Sequence, residues 1–196
     1  MRRRSPILTA TVAAVVAVLG VACAPSPAPT RSSDATTTTI DTTAELRAMT
    51  FPVVGPVSFV DTFGAPRSGG RTHQGIDLMG AKMTPLVAAA DATVTSLRHD
   101  SSGLSGNSLT LTDADGWRYV YIHLNNDSPG TDDGANRFEQ AFVAGLSKDA
   151  EVRAGQHIAY LGDSGNAEDA GAHLHFELHR PDGTVANPYR SLLAAR

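Results

Sequence analysis

The sequence predicts an all-β domain, a compact antiparallel β-sheet with one short helix in an insertion. Three observations carry this. From residue 50 onward, short apolar runs are separated by glycine and proline, with 18 Gly and 11 Pro in 196 residues, the punctuation of short strands and tight turns. Residues 171–179, GAHLHFELH, alternate His173, His175, Glu177 and His179 with Leu174, Phe176 and Leu178, the period-two pattern of a strand with one apolar and one polar face. Between two β-rich runs, Asp113-Ala114-Asp115-Gly116 forms a hairpin signal.

With 41% hydrophobic and 18% charged residues, the chain reads as one soluble globular domain plus an additional segment. Net charge is -4, and Arg2, Arg3 and Arg4 are the only charges before residue 23, so the remainder carries -7. No basic stripe points to nucleic acid. An acidic domain also gains nothing electrostatically from a polyanionic wall or membrane, so residence there requires a tether or specific contacts.

Residues 1–22 run from the three arginines into an apolar stretch, Ile7 to Ala22, and read as a secretory signal peptide. The stretch falls short of the roughly 20 apolar residues a membrane span prefers. LGVAC, ending at Cys23, resembles a bacterial lipobox, although Gly20 departs from the usual Leu, Val or Ile; lipidated Cys23 would then be a membrane tether. Cys23 is the only cysteine, so no internal disulfide forms. Residues 23–48 lack large apolar side chains almost entirely and read as a disordered linker. The expected globular domain is 49–196, in an exported protein of the cell envelope, anchored or secreted.

Within the domain, TFPVVGPVSFVDTFGAPRSGG supplies short strands and turns. RTHQGIDLMG holds His73 and Asp77, which a fully extended strand would place about 13 Å apart; joint action requires a bend, and Gly75 offers one. TPLVAAADATVTSL reads as two strands around an Ala-Asp-Ala turn. NSLTLT and WRYVYIHL flank the hairpin signal. In the second, Tyr119, Tyr121 and His123 share one face, and Val120, Ile122 and Leu124 are expected on the core side. Residues 125–150 form an irregular insertion in which ANRFEQAFVAGL is the helix candidate, with Phe138, Ala141 and Phe142 on one side and Gly145 as its end. EVRAGQHIAYLGDSG returns to strand and turn, leading into residues 173–179.

His173 and His175, two apart on a strand, point the same way about 6 to 7 Å apart, so they can address one small object. A metal ion with bound water is such an object; the plain alternative is a histidine-rich exposed strand. Taken together, His73-x-x-x-Asp77, Tyr121-Ile122-His123-Leu124 and His173-Leu174-His175 resemble the lysostaphin-like (LytM-type) zinc metalloendopeptidases of bacterial cell walls. GRTHQGIDL, TPLVAAADATV, GQHIAYLGDSGNA, HLHFEL and NPY fit the same pattern, over most of residues 51–190.

The resemblance implies a zinc-containing groove in which His73, Asp77 and His175 hold one Zn2+, leaving a fourth position to water, as a catalytic site requires. It implies His173 as general base on that water and His123 as stabiliser of the oxyanion. Activity should then fall through the acidic side of the imidazole range. Asp163 and Glu177 are candidates for supporting groups; His99, His157 and His179 have no assigned role. Ala92, Ala159 and Met83 depart from the family pattern with expected turn strain, and the 125–150 insertion is expected to reshape a groove wall.

The function implied is hydrolysis of peptide bonds in peptidoglycan, its cross-links or stem peptides. The rival is a non-catalytic zinc-binding or regulatory module of the same fold that activates other cell-wall hydrolases. A peptidase of secreted proteins is a third reading.

Overall fold

The computed structural model describes residues 46–196. The expected signal peptide, Cys23 and the linker up to residue 45 lie outside the described residues. Arg47, expected in the linker, belongs to the folded unit. Its guanidinium bonds Asp113 Oδ2 and Asp115 Oδ2 at 2.7 Å each and Tyr119 Oη at 3.2 Å, and lies over the Trp117 ring. These partners come from the hairpin region, about 70 residues away in sequence, so local composition gave no sign of them.

Nine strands and two short helices follow: β1 (Ile76–Met79), β2 (Pro85–Val87), β3 (Ala92–Arg98), β4 (Asn107–Asp113), β5 (Arg118–Leu124), α1 (Phe138–Ala141), β6 (Glu151–Val152), β7 (His157–Tyr160), β8 (His173–His179), β9 (Val185–Ala186) and α2 (Tyr189–Ala194). The main sheet runs β1-β8-β5-β4-β3-β6, with β9 added to β8; β2 and β7 form a second sheet. All pairings are antiparallel. The fold class is therefore the one the turn punctuation and period-two pattern predict. β4 and β5 form the hairpin. Asp113 Oδ1 closes its turn by accepting from the backbone N–H groups of Asp115 and Trp117.

β8 lies between β1 and β5. Leu174, Phe176 and Leu178 are fully buried, together with Ile76 and Leu78 of β1 and Tyr119 and Tyr121 of β5. Burying three such side chains on β8 contributes on the order of 2 kcal/mol each. The opposite face of the same strands is the polar one, and it forms the floor of a groove.

Two expectations about the helices are corrected. The helix over residues 135–146 shrinks to Phe138–Ala141, because Phe142 turns extended, pairs with Ala159 and is fully buried. A second helix, α2, closes the chain, with Leu192 buried.

The face expected for β5 is inverted. Tyr119 and Tyr121, not Val120 and Ile122, enter the core. Burial is affordable because each hydroxyl is bonded: Tyr121 Oη donates to the Val87 carbonyl at 3.0 Å and accepts from the Ala89 N–H at 2.9 Å, and Tyr119 Oη donates to Asp113. Simple alternation would then send His123 into the core as well. A β-bulge prevents this: Asn107 pairs with Leu124 and Leu109 with Tyr121, so two residues of β5 oppose one of β4. His123 takes φ 64°, unusual for a residue with a side chain, and the bulge re-aims it to the groove.

Candidate metal centre

Asp77 on β1 and Ile122 on β5 lie directly across from His175 on β8. His73 arrives from the loop before β1. Its N–H donates to the Ala65 carbonyl and its own carbonyl accepts from the Gly64 N–H, both at 2.8 Å. Gly75 permits the chain to reach β1 by close approach: a Cβ there would meet the Phe176 carbonyl oxygen at 2.4 Å and His175 Nε2 at 2.9 Å. The expected bend thus owes to a missing side chain.

Three donor atoms converge. His73 Nε2 lies 3.0 Å from Asp77 Oδ1 and 2.9 Å from His175 Nδ1, and His175 Nδ1 lies 2.9 Å from Asp77 Oδ1. Their outer partners fix what these atoms carry. His73 Nδ1 donates to the Thr62 carbonyl at 2.9 Å; a carbonyl can only accept, so the proton of neutral His73 sits on Nδ1 and Nε2 presents a lone pair. His175 Nε2 meets Glu177 Oε1 at 3.0 Å, and Glu177 Oε2 meets His179 Nε2 at 2.7 Å. Burial raises the Glu177 carboxyl, but the bonds to His175 and His179 outweigh it and lower it to about 2. Ionised Glu177 therefore keeps the His175 proton on Nε2 and leaves a lone pair on Nδ1.

The centre is a triangle of three acceptors with one shared position for positive charge. Burial pushes His175 down, but Asp77 and Glu177 outweigh it and raise its pKa, so the shared position draws positive charge. Asp77 is likewise opposed by burial yet held well below the usual carboxylate range by His175 and His73. A cation in that position satisfies all three acceptors together, and two imidazoles with one carboxylate are a donor set of catalytic zinc. The residues present fit that ion.

Beyond the triangle, Asp77 Oδ2 accepts from Arg67 Nη2 at 2.6 Å. His173 Nε2 lies 3.8 Å from Asp77 Oδ1, while its Nδ1 donates to the Gly171 carbonyl at 2.8 Å. His123 Nδ1 donates to the Ser164 carbonyl at 2.9 Å, and the His123 and His173 ring centroids are 4.9 Å apart. In the tautomer these bonds select, each imidazole offers an Nε2 lone pair. Burial, with help from His173 and His175 and against the Ser164 bond, lowers His123 to about 4. A donor role toward an oxyanion needs a second proton that this environment disfavours.

All five expected residues line one groove of about 710 Å³. Glu177 supports His175 from behind, and Arg67 was missed because its partner, ten residues on, is brought to it only by the fold. Asp163 is not at the centre: it pairs with Lys82, as do Asp127 and Asp132, at 2.7 to 2.8 Å. A second carboxylate group, Asp127, Asp132 and Glu168, thus already has an ammonium on two of its members. Residues 125–150 contribute no lining to the groove, contrary to the wall expected of them; they tie inward through Asp127 to Lys82 and through Asn136 to His99 and Asn107. Of the three departures from the family pattern, only Met83, at φ 67°, has a left-handed backbone.

Comparison with known proteins fits this geometry. Residues 71–136 match peptidase family M23, taking in His73, Asp77 and His123. The chain is 31% identical over 173 residues to the murein hydrolase activator NlpD of Salmonella dublin, covering 88% of this chain and 39% of NlpD. The chain belongs to peptidase family M23. This M23 chain is also 31% identical over 118 residues to the DD-carboxypeptidase/endopeptidase Mpg of Neisseria meningitidis serogroup B, covering 60% of this chain and 22% of Mpg. It spans about two fifths of the length of NlpD and about a fifth of Mpg. Its fold is that of the catalytic domain of lysostaphin from Staphylococcus simulans, with TM-score 0.54 and 22% identity over 70% of this chain and 92% of that domain. Among the described residues, no helix is long and apolar enough to cross a membrane.

Proposed function

We propose that this M23 chain is an exported zinc metalloendopeptidase that hydrolyses peptide bonds in peptidoglycan. The observation that carries the reading is the acceptor triangle of His73, Asp77 and His175 beside two imidazoles whose Nε2 atoms are free to take a proton. Zinc held by those three residues would polarise the amide carbonyl and lower the pKa of a water toward 7.

The chain's own groups supply the rest. His173, held by the Gly171 carbonyl, accepts the proton of the attacking water on Nε2 and returns it to the leaving amine. His123, held by the Ser164 carbonyl, faces the same space; it donates to the developing oxyanion only when doubly protonated, and otherwise serves as a second acceptor. Glu177 fixes the tautomer of His175. Ile122, Met79 and Leu104 give the groove apolar surface on which an extended peptide loses water. The leader-like residues 1–22 support export, with lipidated Cys23 as a membrane tether.

A second reading has its own support. The long match to NlpD, named as an activator, favours a regulatory module that binds stem peptides in the same groove without cutting them. The experiment is mass spectrometry of fragments released from purified peptidoglycan by the zinc-loaded protein, beside His173→Ala and His175→Ala. Peptide-cleaved fragments from the parent alone are expected; none, with zinc bound one to one, sinks the peptidase reading in favour of the regulator.

A further inference from the structure

The groove holds a second chemical feature besides the triangle. Pro66 bridges to Thr72, and the Arg67 N–H donates to the Arg71 carbonyl at 2.9 Å, so residues 66–72 form a tight loop with an arginine on each arm. Both arginines line the groove. Arg67 is fixed by its 2.6 Å bond to Asp77 Oδ2. Its guanidinium therefore stands one carboxylate group away from the metal-binding oxygen. Arg71 is oriented by Ser68, with Nε to the carbonyl at 3.1 Å and Nη2 to Oγ at 3.3 Å. No carboxylate among the described residues lies within 4.0 Å of it.

Most of the donor capacity of Arg71 is unspent, since a guanidinium offers five N–H groups. Its match in geometry and charge is a carboxylate. The carboxylates already on the groove floor are engaged: Asp77 by Arg67, His73 and His175, and Glu177 by His175 and His179. A carboxylate for the exposed Arg71 guanidinium would therefore come with the ligand. Successive residues of an extended peptide advance about 3.3 Å, so a carboxylate reaching this loop belongs to a residue close to the bond held at the triangle.

We propose that Arg71, with Arg67 beside it, is a subsite for a free carboxylate on the substrate peptide, one or two residues from the scissile bond. The proposal rests on the peptidase reading and names its substrate class: acidic stem peptides, in preference to those whose carboxylate is capped as an amide. It also assigns the loop 66–72 a recognition task separate from the chemistry.

The test uses fluorescently labelled, cross-linked stem-peptide dimers, with the carboxylates beside the cross-link either free or converted to carboxamides. The zinc-loaded parent is expected to prefer the free form about tenfold in kcat/KM, mostly through KM, as a charge-assisted fork allows. Arg71→Gln brings the ratio close to one with zinc content equal to the parent's, and Arg71→Lys retains part of it. A merely structural role for Arg71 would slow both peptides alike and leave the ratio standing; that result, or a parent indifferent to amidation, overturns the proposal. If the parent cuts neither peptide, the peptidase reading fails by itself, and fluorescence anisotropy of the same peptides decides. A carboxylate preference in affinity that Arg71→Gln abolishes upholds the subsite, whereas equal or undetectable binding overturns it.

Discussion

Replacing Glu177 with glutamine isolates the charge behind the candidate metal centre. Gln keeps the size and one acceptor, so His175 Nε2 can still donate and the tautomer survives; what disappears is the negative charge 3.0 Å from the ring. Loss of such an outer partner typically costs 10- to 100-fold in metal affinity. With the hydrogen bond retained, about tenfold is expected for Glu177→Gln, or about 1.4 kcal/mol, and nearer a hundredfold for Glu177→Ala, which frees the ring. A proton on His175 competes for the same position, and Glu177 helps to raise that pKa. The substitution lowers it, so the competing proton weakens in the variant. The sign follows: the affinity defect is smallest at acid pH, where the parent is most hindered by its proton, and grows as pH rises. Competition with a chromophoric zinc chelator at pH 6 and pH 8.5 measures it. A Glu177→Ala protein that binds zinc like the parent at both pH values refutes the reasoning, as does a Gln defect that shrinks at the higher pH.

Three further outcomes follow from the geometry. His123→Gln places an amide donor where an imidazole stood. If His123 serves the oxyanion, Gln recovers much of the 10²- to 10³-fold loss expected of His123→Ala in kcat, and equal losses in both variants would assign it to proton transfer instead. Gly75→Ala drives a Cβ against the Phe176 carbonyl and His175 Nε2; about 3 kcal/mol of stability and weaker zinc binding should be lost together, read by urea unfolding and zinc titration. Lys82→Ala leaves Asp127 and Asp163, whose side chains are 1% and 5% exposed, without their cation, at about 3 kcal/mol near pH 8. Burial already raises Asp163 above the ordinary carboxylate range. In the variant the folded state binds protons more readily than the unfolded chain, so the loss shrinks toward pH 5; an equal loss at both pH values in urea titrations would contradict this.

How much of this was legible in the sequence depends on how far each signal reaches. Leu174, Phe176 and Leu178 announce their face because alternation with histidine leaves one apolar choice. β5 carries apolar side chains on both faces, and the decision for Tyr119 and Tyr121 was made by hydroxyl partners at Val87, Ala89 and Asp113, which no window of residues 118–124 contains. The bulge that re-aims His123 is equally silent, since it is a property of the pairing with β4. Histidine and aspartate spacing, carried by a family resemblance, put His73, Asp77 and His175 forward as a group. It could not say which nitrogen of each ring would point into the triangle, because that is dictated by Thr62 and Glu177 across the fold. Arg47 and Arg67 were invisible for the same reason: a surface arginine acquires a task only from the carboxylate that tertiary structure delivers.

The setting of β8 in mid-sheet has one more consequence. Its alternation has period two, so a slip of one residue against β1 and β5 would turn His173, His175, Glu177 and His179 inward and put Leu174, Phe176 and Leu178 in water. The same slip would pull His175 out of line with Asp77. Register is thus specified twice, once by hydrophobic burial and once by the pairing of His175 with Asp77, and a chain that misaligns its central strand loses core burial and the acceptor triangle in a single error. The register that buries Leu174, Phe176 and Leu178 is thus the same one that sets His175 opposite Asp77.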